Sequence, residues 1–446
     1  MDSVMRFHTF GCKVNTYDTG LLEKKFQELP LTSVIQGPVH ILNSCAVTAE
    51  ASREALVLAR RLKRENPKGK VIITGCAAQV DHSAFVDSSD VDLIVANSHK
   101  NQISEIIQKH IQDPSSVEKL HRSDIFAVED LGVGGGLESR HTRSFLKIQD
   151  GCNAFCTYCI IPFARGKSRS LSVENLVDRV NELQRSGVDE VVLTGIHIAD
   201  YEDSGRDLAD LVEALLLKTS LPRLRLGSLE PLELNDRLLA LFRDDRVCPH
   251  FHLSIQSADD DVLRAMKRKY QRQDVVRALE TIAKLPGESF VGMDVIAGFS
   301  TETETQFQNT YQTLRELPWT RMHVFPYSQR TGTFAVRLGD LVEPAVKKAR
   351  ARRLRELSFE RYRECAEKQI GRVKSVLWLR GDLRRTPSSE AASQTNSAMG
   401  LSLSRDFWHI KVPGGSQKIG ESKVLVRQVV ASANQDFRLV GEALPW

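Results

Sequence analysis

Cys152, Cys156 and Cys159 fall in one short segment, Cys-Asn-Ala-Phe-Cys-Thr-Tyr-Cys. Thiolates at C-x3-C-x2-C spacing can wrap a single [4Fe–4S] cube, whose irons take cysteine sulfur as ligands. Its fourth iron then has no local ligand and is open to a substrate. A structural zinc site instead takes four Cys or His ligands and usually shows a second pair. No such pair follows, although His141 offers a distant fourth ligand. A set of unrelated buried thiols is the blandest reading.

Three further cysteines share a different logic. Cys12 follows the apolar run Val4 to Phe10, Cys45 follows Val39 to Leu42, and Cys76 follows Val71 to Thr74. With Leu93 to Ala96 these runs read as strands. Between them Ala51, Ala55, Leu58, Ala59 and Leu62 form a helix stripe that Thr48 can cap and Pro67 ends. Such alternation predicts an α/β domain with a parallel sheet and helices on both faces. Ligands of these sheets sit beyond the carboxyl ends of the strands. Topology alone would therefore gather Cys12, Cys45 and Cys76 at one edge as a second metal site. The alternative is three buried small hydrophobes.

A second alternation starts at Ser144, with strands expected at Phe145–Gln149, Glu190–Thr194, Leu224–Gly227, Phe251–Gln256, Phe290–Ala297 and Arg321–Pro326. One intervening helix shows Leu176, Val180 and Leu183 on a face, with Ser172 as N-cap and Gly187 as stop. Six strand–helix repeats fall short of a full eight-stranded barrel. A partial barrel follows, with the cysteine triplet just after its first strand, at the end where barrel enzymes keep their active sites. Past a basic helix over Glu343–Ile370, the segments Val373–Leu379, Phe407–Val412, Val424–Val430 and Phe437–Val440 read as a small β-barrel interrupted by a flexible insertion, Thr386 to Ser404. The expected domains are 1–112, a linker over 113–142 with a glycine run at Gly132 to Gly136, a barrel over 143–370 and a terminal barrel over 371–446.

The chain has 446 residues, 41% hydrophobic and 26% charged, as expected of a globular protein with several domains. Without an apolar run long enough to cross a bilayer or a signal-like N-terminus, it reads as cytoplasmic, with no membrane partner. Eight cysteines are then thiols for metals or catalysis. The net charge of +4 is uneven, because Lys347 to Arg385 holds fourteen Lys or Arg against five Asp or Glu. That asymmetry suits a polyanion, since cationic side chains displace counterions from phosphate. A solvated helix face with its own ion pairs, through Glu356, Glu360, Glu364 and Lys368, is the competing explanation.

Together these motifs resemble the methylthiotransferases of the radical S-adenosylmethionine (SAM) superfamily over essentially the whole chain, ending in an RNA-binding barrel of the TRAM type. Thr9-Phe10-Gly11-Cys12-Lys13-Val14-Asn15 is similar to the branch acting on threonylcarbamoyladenosine in transfer RNA, rather than to the isopentenyladenosine or ribosomal-protein branches. The resemblance implies two [4Fe–4S] clusters, an auxiliary one on Cys12, Cys45 and Cys76 and a SAM-cleaving one on Cys152, Cys156 and Cys159. It implies SAM contacts at Tyr158, Thr194, Gly195, Ser228, Glu230 and Gln256, with Ser257 as a weaker candidate. The implied reaction is methylthiolation of adenine C2 beside the anticodon, with SAM as both radical source and methyl donor. Transfer RNA, a low-potential electron donor such as flavodoxin or ferredoxin, and a sulfur source are the implied partners.

The chain departs from the family in Gly298-Phe299-Ser300-Thr301-Glu302-Thr303, where a Pro and a Gly usually stiffen the turn, and in the Ser-rich insertion. A non-enzymatic iron–sulfur RNA-binding regulator is a reading from another class, but it leaves the triplet at a barrel mouth unexplained. Cys248 and Cys365 have no spacing that recruits them and are expected to be structural. His8, His82, His197, His250 and His252 are scattered, with no sequence signal to choose among them.

Overall fold

The computed structural model describes residues 5–27, 37–129, 131, 142–339, 341–379, 399–413, 421–432 and 436–444. His141, the glycine run and most of the Ser-rich insertion lie outside the described residues.

The amino-terminal sheet is wholly parallel, in the order Met5–Thr9, Val39–Ser44, Lys70–Gly75, Leu93–Ala96, Leu120–His121. Side chains alternate between its faces. Ile41, Ile72 and Val95 pack with Leu22 and Phe26 of helix Lys13–Gln27 and with Ile103 and Ile107 of helix Ile103–Gln112. Leu42, Ile73 and Ile94 pack with Ala55, Ala59 and Leu62 of helix Ala49–Glu65 on the other face. Thr48 caps that helix by accepting from the Ala51 N–H at 3.1 Å. The last strand, Leu120–His121, falls in the stretch expected to be linker. Two residues are too few for a period to register, and their pairing with Ile94 and Val95 makes the strand.

The central parallel strands run Arg143–Lys147, Glu190–Thr194, Arg223–Leu226, His250–Gln256, Phe290–Ala297 and Arg321–Pro326. The wall breaks at Gly227: Arg223–Leu226 pairs with Glu190–Thr194, whereas Ser228–Leu229 pairs with the next strand. A Cβ at Gly227 would lie 2.8 Å from the Leu193 carbonyl, so the close approach needs glycine. Helix Val173–Arg185 starts at Ser172, whose hydroxyl accepts from the Asn175 N–H at 3.3 Å, and Gly187 ends it at φ +81°.

Helix Pro344–Glu367 packs on strand Arg321–Pro326 and spends much of its charge internally. Arg350 pairs with Glu302 at 3.0 Å, Arg355 donates to the Val324 carbonyl and Arg361 to the Leu317 carbonyl. Arg352–Glu356 and Arg363–Glu367 are surface pairs along the helix. The terminal domain is a closed barrel in the order Val373–Trp378, Met399–Ser404, His409–Pro413, Asp436–Ala443, Glu421–Ser432. Met399–Ser404 corrects the expectation that the insertion runs to Ser404. Its serines disguise the alternation, yet Ser402 and Ser404 are buried and bonded within the barrel. Among the described residues no helix is long and apolar enough to cross a membrane.

Candidate functional site

The triplet lies after the first barrel strand, in a loop pinned at several points. The Cys152 N–H donates to the Gly166 carbonyl at 3.1 Å and the Cys159 N–H to the Cys156 carbonyl at 2.9 Å. Thr157 donates its N–H to the Met266 carbonyl and its hydroxyl to the Ala265 carbonyl. Gly151, at φ +77°, lets the chain enter the loop, because a Cβ there would sit 1.9 Å from the Lys167 carbonyl. Burial pushes the Cys159 thiol up to about 12, with the Cys156 and Cys152 sulfurs adding to the effect. The three sulfurs thus share one environment.

Cys12, Cys45 and Cys76 come together at the carboxyl edge of the amino-terminal sheet, as the topology rule requires. Burial, then the neighbouring Cys76, raises the Cys45 thiol to about 11. Cys76 is also raised by burial, with Arg165 pulling the other way. Gly11 is required here: at φ +84°, a Cβ on it would lie 2.5 Å from Cys45 Sγ. Asn15 ties the edge together, donating to the Phe10 and Ser44 carbonyls at 2.9 and 3.0 Å.

Both thiol groups meet N–H donors aimed at sulfur. Arg165 Nε donates to Cys76 Sγ at 3.2 Å, with Asn97 Nδ2 at 3.8 Å, and Arg268 Nη1 donates to Cys156 Sγ at 3.1 Å. Such donors favour thiolate over thiol, the form that binds metal. All six cysteines are free, and glycine makes room beside Cys45, so the donor set fits an iron–sulfur cluster at each group.

Arg268 also gathers several residues named from sequence. It donates to the Tyr158 hydroxyl at 3.4 Å, pairs with Glu230 at 2.8 Å and donates to the Ser254 carbonyl at 3.0 Å. Glu230 in turn faces His197, whose ring bonds to Glu233 and lies 3.1 Å from Asp200. Burial pulls the His197 pKa down, but bonds to Asp200, Cys152 and Glu233 prevail and lift it to about 12. Ser228 Oγ bonds to His252 Nδ1 at 2.9 Å, and His252 reaches Asp294 at 3.3 Å, with the His323 ring 5.6 Å away. Lys13 reaches toward the same interior, where burial and then Arg143 and Arg225 lower its pKa to about 8.

The Thr194 side chain is buried in its strand, and Gly195 packs on Gln149. Gln256 sits at φ +58° beside a register shift. Ser257 is fully buried and its hydroxyl bonds to that of Thr310 at 3.0 Å. Cys248 is buried in the fold, and Cys365 lies against the Trp319 carbonyl. Of the scattered histidines, His197 and His252 reach the interior, whereas His8 pairs with His40. Sequence reasoning missed Arg165 and Arg268. Arg165 ends an apolar stretch before Gly166, a weak sign of burial, while Arg268 sits in Lys-Arg-Lys and reads as surface.

Residues 146–314 match the Radical SAM superfamily, and residues 4–96 match a family described as Uncharacterized protein family UPF0004. The Threonylcarbamoyladenosine tRNA methylthiotransferase MtaB of Aquifex aeolicus is 37% identical over 372 residues, 82% of this chain and 90% of that protein. The protein of the same name from Bacillus subtilis is 35% identical over 389 residues, 84% of each chain. Among solved structures, the radical SAM methyltransferase TsrM from Kitasatospora setae shares the fold at a TM-score of 0.50 and 14% identity, over 70% of this chain and 66% of that one. With a radical SAM barrel behind one thiol group, a second at the edge of the amino-terminal sheet, and such relatives over most of its length, this chain belongs to the MtaB-like radical SAM methylthiotransferases.

Proposed function

We propose that this enzyme methylthiolates adenine C2 of threonylcarbamoyladenosine in transfer RNA. In this reading Cys152, Cys156 and Cys159 hold the cluster that binds SAM, and Cys12, Cys45 and Cys76 hold the auxiliary cluster. The observation that carries it is the pairing of two thiol groups, each at the carboxyl edge of its own parallel sheet and each served by a buried guanidinium. When bound, SAM and the clusters supply the radical, the sulfur and the methyl group.

The chain's own residues hold and orient. Arg268 ties the Cys156 sulfur to Glu230 and Tyr158, which keeps a charged ligand's neighbours in fixed positions. Lys13, His252 and His323 bring N–H donors able to meet a carboxylate, which a threonylcarbamoyl substituent carries and an isopentenyl one lacks, beside Asp294, which already faces His252 at 3.3 Å. That contrast favours the threonylcarbamoyl substrate. The terminal barrel would engage the RNA backbone, and a low-potential donor and a sulfur source would serve the clusters.

The test is nucleoside mass spectrometry of transfer RNA from a strain lacking this chain, with and without a plasmid-borne copy. The methylthio derivative of threonylcarbamoyladenosine should vanish and return. Its persistence, or loss of a methylthiolated isopentenyladenosine instead, would refute the assignment.

A further inference from the structure

Arg165 sits at the end of the short helix Ile161–Arg165 that follows the triplet, yet its side chain reaches across to the amino-terminal domain. It is 2% exposed, and its whole fork is used. Nε donates to Cys76 Sγ at 3.2 Å. Nη1 donates to both oxygens of Asp150, at 2.9 and 3.0 Å, and Nη2 donates to Asn15 at 2.6 Å and Asp18 at 3.1 Å. Asp150 precedes Cys152 by two positions, separated only by Gly151. One guanidinium therefore spans from a sulfur of one thiol group to the strand that delivers the other.

The surrounding charge does not balance within the side chains usually counted. Lys147 bridges Asp18 and Asp150 at 2.9 Å each, and Lys100 adds a further contact to Asp18. Three cations, the buried Lys147 and Arg165 and the half-buried Lys100, thus face two carboxylates. An unmatched buried charge is costly, and the sulfur of Cys76 is where Arg165 Nε–H points. A cluster held by Cys76 would bring its negative charge to this end of the network, where Arg165 Nε already points at the sulfur. The two domains contribute to this network jointly, Asp18 and Lys100 from one and Lys147, Asp150 and Arg165 from the other.

We infer that Arg165 is a positioning residue that fixes the amino-terminal cluster site against the triplet and raises the reduction potential of the cluster held there. The inference rests on the reading that Cys12, Cys45 and Cys76 hold a [4Fe–4S] cluster. The physical reason is direct: reduction adds an electron, and a buried cation donating to a ligand sulfur stabilises the more negative state. Arg165→Gln removes the charge while keeping a polar side chain. Arg165→Lys keeps the charge but lacks the fork that joins Cys76 to Asp150 and Asn15.

The test uses the full chain with Cys152, Cys156 and Cys159 all changed to Ala, so that the only expected cluster is the amino-terminal one. Iron is counted after anaerobic reconstitution, and the cluster is titrated electrochemically while the reduced signal is followed by electron paramagnetic resonance. Arg165→Gln should shift the reduced-to-oxidised ratio at fixed potential at least tenfold toward oxidised, about 59 mV for one electron. Arg165→Lys should shift it less. Loss of iron from Arg165→Gln that Arg165→Lys restores also supports the inference, because the charge alone then rescues the site. Full iron with an unmoved potential, or equal iron loss in both variants, overturns it. If the background protein with Arg165 intact takes up no cluster, the underlying reading of the three cysteines fails instead, which is a distinguishable result.

Discussion

Arg268 Nη1 lies 3.1 Å from Cys156 Sγ while Nη2 of the same guanidinium lies 2.8 Å from Glu230. One side chain thus joins the central cysteine of the triplet to a carboxylate on the segment after the third barrel strand. Replacing it by Met would strip a donor from sulfur and leave the half-buried Glu230 with only the more distant His197 as a cationic neighbour. We expect Arg268→Met to keep the iron of the triplet but to lower 5′-deoxyadenosine formation from SAM at least tenfold, about 1.4 kcal/mol. Chromatography of anaerobic reactions with dithionite measures this, and unchanged formation would remove Arg268 from the site.

The two thiol groups predict separable losses. Cys156→Ala should abolish SAM cleavage. Cys45→Ala should spare cleavage and stop methylthiolation of transfer RNA. Deoxyadenosine and nucleoside products from the same reaction decide it, and normal methylthiolation by the Cys45 variant would defeat the two-cluster reading.

Glu190 holds the barrel floor. Fully buried, it pairs with Arg143 at 2.7 Å, Arg223 at 2.9 Å and Arg225 at 3.0 Å. Glu190→Gln leaves three guanidiniums with a neutral partner and should cost about 3–5 kcal/mol of stability. Urea unfolding of the metal-free chain checks the loss.

Two of those arginines also fasten the terminal barrel. Arg223 donates to the Leu403 carbonyl at 3.1 Å and Arg225 to the Arg405 carbonyl at 3.0 Å. Ending the chain after Arg372 should therefore weaken transfer-RNA binding and lower the melting temperature together. Filter binding and thermal scans would show both. An intact melting temperature would mean that these contacts carry little stability.

His8 predicts a pH dependence. Burial, followed by the adjacent His40, lowers its pKa from 6.5 to about 4 in the folded chain. Between those values the unfolded chain binds a proton that the folded chain refuses. Stability is therefore full above pH 6.5 and falls as pH drops toward 4, by about 1–2 kcal/mol after allowance for partial exposure. His8→Gln should flatten the slope in urea titrations between pH 7 and pH 4.5.

Local pattern alone located much of this protein. Apolar runs placed the strands Glu190–Thr194, Phe290–Ala297 and Arg321–Pro326 at their observed bounds, and the cysteines after strands gathered where parallel topology sends them. Period and spacing are properties of neighbouring residues, so they can be read along the chain. The strand Met399–Ser404 escaped because its buried serines find partners only inside the closed barrel.

The site's electrostatics belonged to the tertiary structure. Arg165 meets Asn15 and Asp18 from nearly 150 positions away, and Arg268 meets Cys156 across 112. A charged residue shows no period and looks like surface until folding supplies its partners. The cysteines declared the chemistry from sequence, whereas the cations that steady their sulfurs became visible only when distant segments were packed together, since a buried charge is tolerable only where its counter-charge arrives with it.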